Sequence, residues 1–508
     1  MNLKRILALL MAVLMLFSVI GCERTVTEEE WVEVEGEDVV VDDTDDPADS
    51  DDPADSDDPA DSDDPDDSKG TTTTKKDSKP TTTKKDEGGK KTTTTTKGGG
   101  ASTAEKKLTG KLEIQCFANT AESSKPLEQT VEEFEAANPD LEVTLRVGVN
   151  VHTQLLSRWM SNNPTDFVYM SGAGFPENAM EAAGKFYELS DWLKTAKVWG
   201  TNTLIKDYLQ DGMLIRTNGK LNKMPTSWGA YGMWYDTTFF KQNNLKMPEN
   251  YEDFMAFTKK AEAVGKSAIC YPGIHSGYLG WGLVMPAIAA YGDAKYFEQV
   301  TGATDPKAFT DKRMQSVLDR LYKLAGTGAF MKGTVQLNHI ESQMEWLNHK
   351  SLLIPNGLWL EDEMSDDIPA TFDMCFSPAS LATKDQDTYV IPYISRCAVA
   401  TYGKNRDNAL EYLRYIYRDE VMQRSCENGG SIPITKVDYS NYKYSKAAKQ
   451  SIDVITSTKN KRMFLKSSWG TVDAEWNNVM NALVLHEIDA KKACERLHKA
   501  CQTKIAES

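Results

Sequence analysis

The most constraining stretch runs from Leu112 to Phe175. Leu112, Ile114 and Cys116 alternate with polar neighbours, the two-residue period of a strand. Pro126 then opens a helix with Leu127, Val131 and Phe134 on one face, and Asn138-Pro139 stops it. Leu141, Val143, Leu145 and Val147 alternate again, and a helical stretch covers about His152 to Met160. Phe167-Val168-Tyr169-Met170 reads as a buried strand that runs into the loop Ser171-Gly172-Ala173-Gly174. A β-α-β-α-β order requires a mostly parallel sheet with helices on both faces, hence an α/β fold. Ligands of such sheets gather beyond the carboxyl ends of the strands. Phe117, Asn119, Ser171, Gly172 and Phe175 are therefore expected beside a cleft.

The chain has 508 residues, but not all of them suit a core. Asp45-Asp46-Pro47-Ala48-Asp49-Ser50 starts a hexad that recurs at 51, 57 and, with Asp66 for Ala, at 63. Thr and Lys runs follow, ending in Gly98-Gly99-Gly100. From Glu23 to Ser68 there are 23 acidic residues against one basic; from Lys69 to Lys107 there are 11 lysines against 4 acids. Few apolar side chains, proline and one-signed charge prevent packing. Residues 23–108 are expected to be a disordered tether, with an end-to-end distance of roughly 50 Å as a random coil. The remaining 400 or so residues exceed the usual size of one core, so two lobes are expected.

The first 22 residues have a separate logic. Lys4 and Arg5 precede an apolar stretch from Ile6 to Ile20, which is shorter than the roughly 20 residues a bilayer-spanning helix needs. It fits the apolar region of a secretory signal. The stretch ends in Val19-Ile20-Gly21-Cys22, which resembles a bacterial lipobox and makes Cys22 the expected lipidation site. Two acyl chains suffice for stable anchoring. The folded part would then sit on the extracellular face of the membrane, in a Gram-positive type of envelope.

Charge and ligand types exclude other classes. The overall net charge is −17, and the acidic segment accounts for it; residues 108–508 hold only −4. No strong field for nucleic acid remains. Beyond Cys22 there are seven cysteines, an odd number, in no zinc-like or dense disulfide spacing. Cys494 and Cys501 would stand about 10 Å apart along one helix, beyond disulfide reach. The six histidines are scattered, so no metal and no cofactor is expected.

Aromatic residues crowd the middle of the chain. Pro225-Thr226-Ser227-Trp228-Gly229-Ala230-Tyr231-Gly232-Met233-Trp234-Tyr235 is the densest case, and Tyr278, Trp281, Trp359, Trp469 and Trp476 follow. Ring faces suit the C–H patches of a sugar; Asn, Asp and Glu suit its hydroxyls. Any one ring is as readily a core residue. Trp359 differs, because Pro355-Asn356-Gly357 forms a loop before it and Glu361, Asp362 and Glu363 follow.

In that order, the opening strand and Pro126 helix, Asp166-Phe167-Val168-Tyr169, the Trp228–Asp236 crossing, Lys350 to Trp359, and Gly429-Gly430-Ser431-Ile432-Pro433 resemble the extracellular solute-binding proteins of family 1. These are the sugar receptors of ABC importers. Glu341 to Leu347 and Trp359 to Met364 look most like the branch that binds N-acetylglucosamine and chitobiose. The resemblance covers about 110–508. It implies a two-lobed, periplasmic-binding-protein-like fold of type II with the ligand cleft between the lobes. Crossings would lie near 225–233, 365–395 and 431–436, with lobe one at about 109–224 and 395–430, and lobe two at about 234–394 and 436–508. The family closes on its ligand by hinge motion, and Gly229, Gly232, Gly429 and Gly430 stand at the crossings. Carried over by position, Trp228, Tyr278, Trp281, Asn356, Trp359, Glu361, Asn428 and Gly429 join Phe117, Asn119, Ser171 and Gly172 as expected ligand contacts. The implied partners are a carbohydrate and ABC permease subunits, and the implied state is a monomer. One departure stands out. No Asp-Arg pair follows the Ser171 loop, which disfavours a long malto-oligosaccharide.

Two other functions share some of these features. A glycoside-processing enzyme needs two carboxylates held about 5–9 Å apart. Glu361 and Glu363 are the candidates, but residues two apart on a helix point to different sides. A surface lipoprotein that binds or senses sugar without transport would have the same sequence features, and neighbouring permease genes would separate the two.

Overall fold

The computed structural model describes residues 105–506 apart from 106, 119, 173, 218 and 466–470. Cys22, the 23–104 segment, Asn119 and Trp469 lie outside the described residues. The strands are β1 (Thr109–Cys116), β2 (Asp140–Val147), β3 (Phe167–Tyr169), β4 (Met224–Asp236), β5 (Ser267–Ile269), β6 (Ser351–Asn356), β7 (Met374–Ser377), β8 (Tyr389–Val399), β9 (Ile432–Pro433) and β10 (Lys461–Arg462). β1 pairs in parallel with both β2 and β3, as an alternating β/α sequence requires.

Helix α1 (Ala121–Ala137) starts five residues before the proline that was expected to open it. Thr120 and Ser123 form a capping box. The Thr120 hydroxyl accepts from the Ser123 N–H at 3.1 Å, and the Ser123 hydroxyl accepts from the Thr120 N–H at 3.2 Å. Reciprocal capping fixes the start, and Pro126 is accommodated inside the helix.

The chain is two-lobed because two long strands serve both halves. β4 pairs antiparallel with β8 from Met224 to Tyr231, then passes to β6 and β7 over Gly232–Asp236. β8 in turn pairs with β3 through Cys397–Val399. One end of this ribbon therefore extends the β2-β1-β3 sheet, and the other extends β6-β5 and β7. β9 adds a third segment against Ser227 and Trp228.

An ion cluster pins the ribbon at one end. Lys223, just before β4, reaches Glu177 at 2.8 Å and Glu181 at 2.7 Å, and Arg396 on β8 reaches Glu177 at 3.2 Å. Burial pushes the Glu177 carboxyl up, but the Arg396 and Lys223 charges outweigh it and hold the group below the ordinary carboxylate range.

β4 also sorts its side chains by parity. Trp228, Ala230 and Trp234 lie in one buried core, while Met233, of opposite parity, lies in the second. The rings of Tyr393 and Phe376 fill the space that a Cβ on Gly229 or Gly232 would need. Both glycines thus permit close packing at the crossing. All seven described cysteines are free thiols, and the described residues contain no cluster suited to a metal.

Candidate functional site

Five rings meet where β4 and β8 cross toward the β6 end. Tyr231 of β4 lies with its ring centroid 5.1 Å from that of Tyr393 on β8, 5.6 Å from Trp359, 5.9 Å from Tyr278 and 6.5 Å from Trp281. Trp359 closes the group at 5.3 Å from Tyr393 and 5.9 Å from Tyr278. All five are half-buried, so each retains a solvent-facing portion.

Local structure explains how each ring arrives. Tyr231 and Tyr393 stand on the same face of the ribbon, because Tyr393 pairs with Gly229, two residues from Tyr231. Tyr278 precedes, and Trp281 belongs to, a single π-helical turn, Gly280–Val284, a wide turn often found at functional sites. Trp359 folds back over Gly357; a Cβ there would lie 2.3 Å from the indole. Burial pushes the hydroxyls of Tyr231, Tyr278 and Tyr393 above the ordinary phenol value, so they stay neutral donors and acceptors.

Helix α2 spans His339–Leu347, and the short acidic helix after Trp359, α3, spans Leu360–Glu363. The Glu363 carboxylate accepts from His339 Nε2 at 2.6 Å and Gln343 Nε2 at 2.9 Å behind Tyr278, whose ring is 5.0 Å from His339. Glu361 instead accepts from the hydroxyl of Ser445, the N-cap of the helix Lys446–Thr456. The two acids bond to separate elements, as the helical geometry anticipates.

A second group lines the carboxyl ends of the first sheet. Phe117 stacks on His152 at 6.2 Å, and Gly172 lies against Phe117 so closely that a Cβ would fall 2.1 Å from the ring. His152 is buried, bonds Gln115 at 2.8 Å and the Ser171 carbonyl at 2.9 Å, and burial lowers its pKa. Ser171 and Gly172 are exposed and Phe117 and Phe175 half-buried.

A cavity of about 190 Å³ is lined by Cys116, Ser123, Tyr169, Asp362, Asn428 and Gly429, among others. A larger hollow of about 540 Å³ beside Lys446–Thr456 is lined by three lysines, Asp453, Gln450, Val454, Ser457 and Asn460, with no aromatic ring. Ring stacking therefore favours the crossing.

Two expected contacts sit elsewhere. Trp228 is 4% exposed, packed in the core at 5.6 Å from Phe464, because strand alternation turns it away from the Tyr231 face. Asn356 is wholly buried at the end of β6, where its Oδ1 accepts from the Gly357 N–H at 2.8 Å and shapes the turn before Trp359. Tyr231 stands in the dense aromatic stretch but not among the expected contacts, and Tyr393 is in neither. Alternation along β4, with Trp228 and Trp234 taken as core, would have pointed to Tyr231.

The sequence pattern of the bacterial extracellular solute-binding proteins matches residues 118–423, more than half of the chain. The chain belongs to this family. Members are substrate-binding proteins rather than enzymes, and the bonding of Glu361 and Glu363 to different elements agrees with that. Among relatives of this solute-binding protein, a multiple sugar-binding protein of Streptococcus mutans is 22% identical over 330 residues, 65% of this chain and 76% of that protein. The diacetylchitobiose binding protein NgcE of Streptomyces coelicolor is 25% identical over 297 residues, 55% of this chain and 60% of its own length. A solved chitin oligosaccharide binding protein superposes with a TM-score of 0.64 at 17% identity, covering 78% of this chain and 98% of that one. The raffinose complex of RafE gives 0.60 at 20%, covering 77% and 98%. These likenesses establish the two-lobed fold.

Proposed function

We propose that this solute-binding protein is the lipid-anchored sugar receptor of an ABC importer, and that its ligand is an oligosaccharide of N-acetylglucosamine type. The observation that carries the reading is the five-ring group at the crossing. Half-buried neutral aromatics, brought from both crossing strands, the π-turn and the Trp359 loop, offer faces for pyranose C–H patches and hydroxyls for sugar oxygens. The N-acetylglucosamine class is supported by the Glu341–Leu347 and Trp359–Met364 segments and by the NgcE likeness. Cys22 would carry the lipid, permease subunits would take the sugar, and the tether expected over 23–108 would end before Glu105, because Glu105 pairs with Arg414 at 2.6 Å and Leu108 is buried in the core of the folded part. The lobes in this reading are 109–224 with 395–430, and 234–394 with 436–508. Phe117, Ser171 and Gly172 would face the ligand from the first lobe; Tyr278, Trp281 and Trp359 from the second; Asn428 and Gly429 from the cavity edge.

Calorimetric titration with di-N-acetylchitobiose, raffinose and maltose tests this. Chitobiose should bind without turnover and more tightly than the other two. Preference for raffinose or maltose would exclude the N-acetylglucosamine class; heat from none of them would count against a sugar ligand.

A further inference from the structure

Rings alone do not hold hydroxyls, and the Ser171 loop offers no Asp-Arg pair. A charged acceptor reaches the rings from the far end of the chain. The helix Thr471–Val484 carries Asp473 in its first turn, one helical turn before Asn477, so the two share a face. Asn477 is fastened to the ring-bearing segment: its Oδ1 accepts from the Gly277 N–H at 2.5 Å, and its carbonyl accepts from the Ser276 hydroxyl at 2.6 Å. Trp476, between them in sequence, lies 6.3 Å from Trp281. These contacts hold the first turn against the π-turn, where the Asp473 charge acts on the Tyr231 phenol.

Asp473 is exposed to solvent, while its helix is fastened beside the ring-bearing segment through Asn477. A first-turn aspartate is ordinarily favoured as an anion by the helix dipole. Burial here outweighs that and raises the carboxyl above the usual carboxylate range. Among the described residues no cation and no hydrogen-bond donor meets its oxygens. A charge that meets no cation or donor among the described residues is suited to hydrogen-bond donors supplied by the ligand.

We infer that Asp473 is the anionic hydrogen-bond acceptor of the sugar site, taking adjacent hydroxyls of the ring that stacks against Tyr231, Trp281 and Trp359. The assignment rests on the sugar-receptor reading and deepens it: a sugar with two free neighbouring hydroxyls is selected, and one blocked there is rejected.

The test uses Asp473→Asn and, as control, Glu475→Gln, whose carboxylate bonds Arg496 at 2.5 Å. Each is titrated by calorimetry with di-N-acetylchitobiose, raffinose and maltose, and melted without ligand. With whichever sugar the unaltered chain binds, Asp473→Asn should lose at least tenfold in affinity without a lower unliganded melting temperature, and Glu475→Gln should lose nothing. A smaller loss for Asp473→Asn, or one that accompanies a fall in melting temperature, overturns the Asp473 assignment alone. Failure of the unaltered chain to bind any of the three overturns the receptor reading and this assignment with it.

Discussion

Adding one methyl group at Gly357 should impair sugar binding as much as removing the Trp359 ring. A Cβ at Gly357 would lie 2.3, 2.4 and 2.6 Å from three atoms of the Trp359 indole, well inside contact distance. The indole must swing away, leaving Tyr231, Tyr278 and Tyr393 at 5.6, 5.9 and 5.3 Å without their partner. Aromatic pairs contribute about 0.5–1.5 kcal/mol each, so the three together bound the loss of unliganded stability at roughly 1.5–4.5 kcal/mol. Sugar affinity should fall at least tenfold, about 1.4 kcal/mol. Calorimetry on Gly357→Ala, Trp359→Ala and the double variant decides. Both substitutions act through one ring, so the double variant should bind no worse than Trp359→Ala. Unchanged affinity for Gly357→Ala, or losses that add in the double variant, would refute the placement of Trp359 over Gly357 and its contact with sugar.

Other outcomes follow from the crossing and the anchor. Glu177→Gln leaves Arg396 and Lys223 short of a carboxylate and should cost roughly 3 kcal/mol, the low end for a broken buried pair, because Lys223 keeps Glu181. The Glu177 carboxyl is held low in the fold, so its stabilisation is present above its unfolded pKa and lost as pH falls through the folded one; denaturant melts of Glu177→Gln should show a shallower acid decline. Asp473 has the opposite sign. Its carboxyl is raised, so ionisation burdens the fold above the folded pKa, and the burden vanishes below the unfolded one. Asp473→Asn should therefore melt higher than the unaltered chain at pH 7 without ligand, with the gap closing on acidification; a lower melt at pH 7 contradicts this. Cys22→Ser should abolish incorporation of labelled palmitate, and equal labelling of both proteins would refute the lipobox reading.

Much of the architecture was legible from sequence because it depends on local periodicity. The alternating strands around Leu112 and Leu141 pair in parallel as their pattern requires. Pro126 misled because the stronger local signal, the Thr120-Ser123 capping box, needs no proline. Tyr278, Trp281 and Trp359, carried over by resemblance, do come together. Trp228 and Asn356 lie in packed surroundings instead, since residue type does not reveal which face of a strand turns inward. Tyr393 was hidden in an apolar run that reads as ordinary core strand, and only its pairing with Gly229 places it beside Tyr231. Asp473 had no local signature at all; contacts between Asn477 and Gly277, 200 residues apart, deliver it.

As a sugar receptor, this protein should close its lobes on a ligand that both contact. Such a ligand favours the closed form by its difference in affinity for the two states. Small-angle scattering of a chain beginning at Ser102, with and without saturating di-N-acetylchitobiose, measures this directly. The radius of gyration should fall on adding sugar, with tryptophan fluorescence changing over the same concentrations. Superimposable scattering curves at a concentration where calorimetry reports saturation would contradict closure.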